Sequence, residues 1–340
     1  MPNASTTANA PDLRQIEAAA ARLAGQARRT PLLSSPFLDQ IAGRRVLVKA
    51  ECLQHTGSFK FRGAWAAISA LDAATRARGV IAFSSGNHAQ GVAHAATLHG
   101  VASVIIMPAD APRIKIDNTR ALGGEVVLYD RAGGEDRDAI GARLSADRGL
   151  TLIRPFDNTE VIAGQGTVGL EIALQAQDAG VTQADVLVCC GGGGLTAGIA
   201  LALEGRAPGL RARPAEPEGF DDVARSLATG TRQHNAAPSG SVCDAIVTPT
   251  PGDLTLPVMQ RLCGPGLVVR DDEALHAMAL AWSRLKLVLE PGGAVALAAA
   301  LFRRDQIAGD AVIAVASGGN VDADVFARAL TFAQGQPGVI

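Results

Sequence analysis

Charge of one sign is what this sequence most plainly lacks: 31 Lys and Arg stand against 33 Asp and Glu, a formal net charge of −2. That balance leaves no electrostatic footprint for nucleic acid or for an anionic membrane surface. No apolar run reaches the ~18 residues that a membrane span needs. The stretch from Met1 to Pro11 is small and polar with no apolar centre, so a loose tail and no signal peptide are expected. Cysteines are few: Cys52, Cys189, Cys190, Cys243 and Cys263 are odd in number, scattered and without zinc spacing. Reduced thiols in a cytosol suit that pattern better than a disulfide framework. There is no internal repeat, and no low-complexity segment beyond alanine enrichment. A nucleotide-type glycine loop is missing as well, because no Gly-Lys-Ser/Thr follows the glycine run and no Gly-x-Gly-x-x-Gly is paired with an acidic residue. The 340 residues, 48% hydrophobic and 19% charged, supply ample core. That length predicts two domains more readily than one.

Along the chain, helix and strand patterns alternate. Asp12 to Ala27 carries Leu13, Ile16, Ala20 and Leu23 at helical spacing, and Thr30-Pro31-Leu32-Leu33 breaks it. Strands are predicted at Arg45–Lys49, Val80–Phe83, Ala102–Met107 and Glu125–Tyr129, with helices at Gly63–Leu71, Ala89–His99, Ile114–Leu122 and Asp136–Asp147. A second series follows. It has helices at Leu170–Ala176, after Gly194 to Glu204, and at Asp271–Leu285, Gly293–Phe302 and Asp324–Gln334. Its strands are at Asp185–Cys190, Leu210–Ala215 and Ala311–Ala316, with Pro214–Asp222 and Gly230–Pro257 expected as loops. Such alternation predicts parallel sheets flanked by helices in two α/β lobes, with ligands at the carboxyl ends of the strands.

Three strand ends and one lysine carry the chemistry. Gln54-His55-Thr56-Gly57-Ser58-Phe59-Lys60-Phe61-Arg62-Gly63-Ala64 delivers Lys60 from a small polar turn into a helix. The stretch alone leaves two readings: a solvated lysine, or a desolvated amine able to form a Schiff base with a carbonyl. Val186-Leu187-Val188-Cys189-Cys190 runs into Gly191-Gly192-Gly193-Gly194 and then a helix. That is a phosphate cup of bare amides at a helix N-terminus, or else a turn for tight packing. Ser84-Ser85-Gly86-Asn87-His88 fits carboxylate binding or plain N-capping, and His88 reads as structural rather than as a base. Ser317-Gly318-Gly319-Asn320 opens another strand end. On parallel sheets all three loops and Lys60 would converge on one cleft.

Together with Glu51, Gln54, Gln90-Gly91, Ala163-Gly164-Gln165-Gly166-Thr167 and Glu290-Pro291, these motifs resemble the threonine dehydratase and serine racemase family. These are pyridoxal-phosphate enzymes of the tryptophan-synthase-β-like fold, PLP fold type II. The resemblance spans about Asp12 to Leu330. It implies a large cofactor-binding domain from 1–52 and 153–340 with a small domain, 53–152, inserted in it. No C-terminal regulatory domain, and hence no feedback control, is expected, and a cytoplasmic homodimer is.

Residue by residue, the resemblance implies that Lys60 carries pyridoxal 5'-phosphate and acts as the base on the substrate α-proton. Phe59 would pack beside the cofactor ring and Asn87 meet its phenolic oxygen. Gly191, Gly192, Gly193, Gly194 and Leu195 would hold the phosphate, and Glu290 would complete the cofactor site. Ser317 would face the ring nitrogen, where a hydroxyl does not force protonation and elimination is favoured. Ser84, Ser85, Gly86, Asn87 and His88 would bind the substrate carboxylate. Ser85 could also serve as an acid/base on the far face, as racemisation requires. Arg137 matches an arginine facing the substrate side chain, which could clamp a distal carboxylate or simply be an exposed helix-start residue. Glu216, Phe220 and Asp222 resemble a loop for Mg²⁺, Ca²⁺ or Mn²⁺, with an acidic surface loop as the alternative.

The implied reaction is β-elimination from a hydroxy amino acid, L-threonine or L-serine, to a 2-oxo acid and ammonia. Within the same chemistry stand threo-3-hydroxyaspartate or phenylserine dehydration and serine racemisation. β-Replacement shares the fold but not these motifs around Lys60 and Ser317. A non-catalytic PLP- or amino-acid-binding protein is the reading outside enzymology.

Overall fold

The computed structural model describes residues 9–111, 113–130 and 133–334, so residues 1–8 of the expected loose tail lie outside it. Ten strands are present among the described residues. They are β1 (Leu32–Ser34), β2 (Arg45–Lys49), β3 (Val80–Phe83), β4 (Ser103–Pro108), β5 (Glu125–Tyr129), β6 (Thr151–Leu152), β7 (Ala184–Cys189), β8 (Leu210–Pro217), β9 (Leu267–Val269) and β10 (Ala311–Val315). They form a six-stranded sheet, β1-β2-β10-β7-β8-β9, and a four-stranded sheet, β5-β4-β3-β6. Every pairing is parallel except that of β1 with β2. Central strands such as β7 and β10 are near-continuous runs of Val, Ile, Leu and Ala because helices cover both faces.

Helix Thr159–Asp178 is much longer than the expected Leu170–Ala176. Its middle carries Gly164, Gly166 and Gly169, which weaken a helix read from propensity alone. Packing supplies the reason for them. A Cβ on Gly164 would lie 2.4 Å from the Arg62 carbonyl oxygen, and one on Gly166 2.9 Å from that of Gly198. The glycines let this helix touch helices Lys60–Ala70 and Gly194–Arg206 backbone to backbone, and tertiary contact overrides propensity.

Other boundaries also move. Pro214–Asp222 is not a loop throughout: β8 continues to Pro217, and helix Asp222–Thr229 follows. The expected loop Gly230–Pro257 contains a short 3₁₀ turn, Asp244–Ile246, and the start of helix Thr255–Leu262. Helix Asp271–Leu280 gives way to a wider π turn over Ala281–Leu285. Helix Asn87–Leu98 begins two residues before the expected Ala89, taking in Asn87 itself. Short elements with little periodicity, among them β1, β6, β9 and helix Pro36–Ala42, left no readable pattern.

Candidate active site

Helix Lys60–Ala70 begins at the lysine itself, and the Phe59 position that precedes it has no side-chain cap. The approach is pinned by backbone instead. Phe59 N–H donates to the Ser317 carbonyl at 3.2 Å, and Gly319 N–H donates to the Gly57 carbonyl at 2.9 Å. Gly57 has a left-handed φ of 74°. A Cβ there would lie 2.5 Å from Asn320 Oδ1, so the tight turn that aims Lys60 beneath the end of β10 requires glycine.

A cavity of ≈ 380 Å³ opens between the two sheets and is lined by Phe59, Lys60, residues 84–88, residues 191–195, Glu290 and Ser317. The loops after β3, β7 and β10 do meet there, as parallel topology requires. Lys60 Nζ donates to the Pro155 carbonyl at 3.1 Å and sits 5.1 Å from the Phe59 ring centroid. Burial draws its pKa down to about 8, with the Glu290 carboxylate pulling the other way.

Across the cavity, Gly191–Gly194 form a cradle that side chains would fill. A Cβ on Gly192 would lie 2.4 Å from Phe156 ring carbons, and one on Gly193, whose φ is +89°, 2.5 Å from Met259 Cε. Helix Gly194–Arg206 has no side-chain cap at Gly193. Its first amides therefore face the cavity end with no carbonyl of the preceding turn to receive them. Beside Gly191, the Thr248 hydroxyl is buried with no hydrogen-bond partner.

A polar chain crosses the cavity floor. Asn320 Nδ2 donates to Asn87 Oδ1 at 2.7 Å, and Asn87 Nδ2 donates to Glu290 Oε1 at 2.5 Å. Burial raises the Glu290 carboxyl to about 7, opposed by the Asn87 hydrogen bond. In the neighbouring loop, Ser84 Oγ accepts from Gly86 N–H at 3.1 Å. His88 Nε2 meets the Ile153 carbonyl at 2.8 Å, and burial lowers its pKa to about 3. The ring is therefore neutral and donates that proton to the carbonyl, which fits the structural reading of His88.

Arg137 reaches the cavity wall with its guanidinium 5.3 Å from the Phe83 ring centroid. Sequence reasoning missed Lys115 and Tyr129 on the same wall, and Asp244 facing them. Lys115 Nζ lies 3.8 Å from Asp244 Oδ2. None of the three stands in a motif, and only the meeting of the two sheets brings them together.

Glu216, Phe220 and Asp222 lie away from this cavity, where β8 meets helix Asp222–Thr229. The Glu216 carboxylate accepts from Val223 N–H at 3.0 Å and Ala224 N–H at 2.7 Å. Asp222 Oδ1 accepts from Asn235 Nδ2 at 2.6 Å, whereas Oδ2 is buried with no partner. Burial, reinforced by Asp222, raises the Glu216 carboxyl well above its usual range. Among the described residues no group of three or more His, Cys, Asp or Glu side chains is arranged to hold a metal.

A half-buried lysine at a helix start, opposite a glycine anion cradle at a strand end, fits the site of an enzyme that binds pyridoxal phosphate. The residues fit that cofactor: the cradle admits an anion only because it carries no Cβ atoms, and the orphaned Thr248 hydroxyl adds a donor at its edge. The chain belongs to the family of pyridoxal-phosphate-dependent enzymes, whose pattern matches residues 23–318. It is 42% identical over 312 residues to the L-threo-3-hydroxyaspartate ammonia-lyase of a Pseudomonas species, covering 92% of this chain and 96% of that protein. It is 38% identical to serine racemase of Oryza sativa subsp. indica, with 94% of each chain covered. The crystal structure of a T.th. threonine deaminase superposes with a TM-score of 0.86 at 42% identity, covering 92% of this chain and 99% of that one. The fold is accordingly the two-sheet α/β architecture of PLP fold type II.

Proposed function

We propose that the chain is an ammonia-lyase that converts a β-hydroxy amino acid to a 2-oxo acid and ammonia by β-elimination, with L-serine and L-threonine as substrates. The observation that carries this reading is Lys60 Nζ, desolvated, with its pKa drawn down to about 8, in the cavity that the glycine cradle also lines. Bound pyridoxal phosphate supplies the electron sink for the carbanion developing at the substrate α-carbon. Lys60 is the attachment point and, when free, the general base on the α-proton. A pKa near 8 keeps a useful neutral fraction at neutral pH. Gly191 to Leu195 would hold the phosphate by backbone amides, and Phe59 would pack beside the ring. Ser317, on the cavity wall, would offer the ring nitrogen a hydroxyl that imposes no proton on it. Asn87, held in its orientation by Glu290 and Asn320, would meet the cofactor's phenolic oxygen. The loop of Ser84, Ser85, Gly86, Asn87 and His88, which lines the cavity at a helix start, would bind the substrate carboxylate.

The two sheets support reading residues 53–152 as a small domain inserted in a large one formed by 1–52 and 153–340. Release of 2-oxo acid, measured across serine, threonine, both 3-hydroxyaspartate diastereomers and phenylserine, tests the function. No release from any of them, or an absorbance band near ~410 nm that survives Lys60→Ala, would sink it.

A second reading, 3-hydroxyaspartate as the preferred substrate, is favoured by Arg137 and Lys115 on one cavity wall. Two cations there offer a distal carboxylate a charge-assisted site. Serine racemisation would need Ser85 as the opposite-face acid/base, so Ser85→Ala should abolish D-serine formation and spare elimination from the L-enantiomer. A divalent cation at Glu216, Asp222 and the Phe220 carbonyl is supported by the orphaned Asp222 Oδ2 and by two mutually repelling buried carboxylates. A cytoplasmic homodimer completes the reading. Five buried free thiols are compatible with a reducing compartment.

A further inference from the structure

We propose that Arg62 is a positioning residue for Lys60, acting through a buried four-charge cluster on the far side of the lysine's helix. The inference rests on the reading of Lys60 as the cofactor lysine. Residues 60 and 62 are about 200° apart around an α-helix, so they point in opposite directions from the same first turn. Lys60 faces the cavity, and Arg62 faces the interior with 1% exposure.

All five guanidinium donors of Arg62 are engaged. Nε and Nη2 grip the two oxygens of Glu51, each at 2.8 Å. Nη2 also reaches the Arg28 carbonyl at 3.1 Å. Nη1 donates to Glu171 Oε1 at 2.7 Å and to Thr167 Oγ1 at 3.3 Å. Beyond it, Lys49 Nζ meets Glu171 Oε2 at 2.5 Å, Gln175 Oε1 at 2.8 Å and the Thr30 carbonyl at 2.8 Å. The two cations and two carboxylates sum to zero. They join the first turn of the helix to β2, to the Arg28–Thr30 segment and to helix Thr159–Asp178.

Stability alone is a poor reason for such a cluster, because buried ion networks often add nothing over apolar residues of the same volume. Direction is a better one. The helix start lacks a side-chain cap, and Gly91 already touches it closely: a Cβ there would lie 3.1 Å from the Lys60 carbonyl carbon. With Gly91 on one side and the planar fork of Arg62 on another, the Lys60 backbone is fixed, and only its side chain is free to move between the cofactor and the substrate.

Arg62→Lys keeps the charge but loses the fork. Glu171→Gln removes the charge and leaves one acceptor oxygen where Arg62 and Lys49 each use one, and it serves where Arg62→Lys does not fold. Arg213→Lys is the control: Arg213 is also buried and paired, 2.7 Å from Asp185 at the opposite end of the strands. In the holoenzymes, Arg62→Lys is expected to lower kcat on the order of 10²-fold, the scale of an ångström's misplacement, with KM for L-serine changed by less than about threefold. The pH midpoint of the cofactor absorbance band should shift with it, and Glu171→Gln should move both readouts in the same direction. Arg213→Lys should lower the melting temperature and leave band and kcat alone. A band midpoint and kcat unchanged in Arg62→Lys or Glu171→Gln, or changed no more than in Arg213→Lys at equal loss of melting temperature, would overturn the proposal. A wild-type protein without any band would instead overturn the assignment of Lys60.

Discussion

Replacing Lys60 by methionine should stabilise the cofactor-free protein while abolishing cofactor attachment. The native pKa of Lys60 is about 8 against an ordinary 10.5, chiefly because burial disfavours the charged amine. At 1.36 kcal/mol per pKa unit, keeping the cation in place near neutrality costs at most roughly 3 kcal/mol. Since the side chain opens onto a water-accessible cavity, about 2 kcal/mol is the figure to test. Methionine is unbranched, one heavy atom shorter, and adaptable enough to lie against Phe59. The Pro155 carbonyl that Lys60 served keeps a donor, Gln165 Nε2 at 3.3 Å. Between pH 8 and 10.5 the unfolded lysine binds more protons than the native one, so wild-type stability rises with pH across that window, whereas the variant has no such slope. Denaturant unfolding of both proteins at pH 7 and pH 10.5 should show the variant ahead at the lower pH and the gap closed at the higher. A variant that is less stable at pH 7, or a gap independent of pH, would refute the account of Lys60 as a desolvated amine.

Gly193→Ala should weaken cofactor retention during dialysis, because alanine at φ +89° costs about 1–2 kcal/mol of backbone strain and its methyl enters the space of Met259 Cε. Undiminished retention would argue against the cradle. In chelator, stability should fall as pH rises from about 4 through 6, because the Asp222 carboxyl is raised to about 6 by burial and the native state holds its proton longer. Glu216 is raised too and extends the fall to higher pH. Mg²⁺, Ca²⁺ or Mn²⁺ should remove that slope; a slope indifferent to all three would leave the loop without a cation. Arg137→Ala should raise KM for 3-hydroxyaspartate by ten- to a hundredfold, the worth of roughly 1.5–3 kcal/mol for a charge-assisted hydrogen bond, and leave L-serine little changed. Equal effects on both substrates would exclude a carboxylate clamp.

Strand patterns with strong apolar runs were readable residue by residue: β2, β3 and β5 begin and end where the pattern says. The tetraglycine bend and the two Ser- and Asn-bearing loops were legible because each follows such a strand. Helix Thr159–Asp178 was half hidden, since its glycines signal loop locally and close packing globally. Lys115, Tyr129 and Asp244 carried no local signal at all, and they enter the cavity only when two separate sheets face one another.

Sequence alone thus determined the alternation of strands and helices, the lysine at a helix start and the bare amides at a strand end, because these depend on neighbours a few residues apart. Tertiary structure alone decided how those groups are tuned. The lowered pKa of Lys60, the raised pKa of Glu290 and the cluster behind Arg62 all arise from desolvation and from partners far along the chain. The electrostatics of a buried group is set by what surrounds it in space, and one-dimensional order does not contain that.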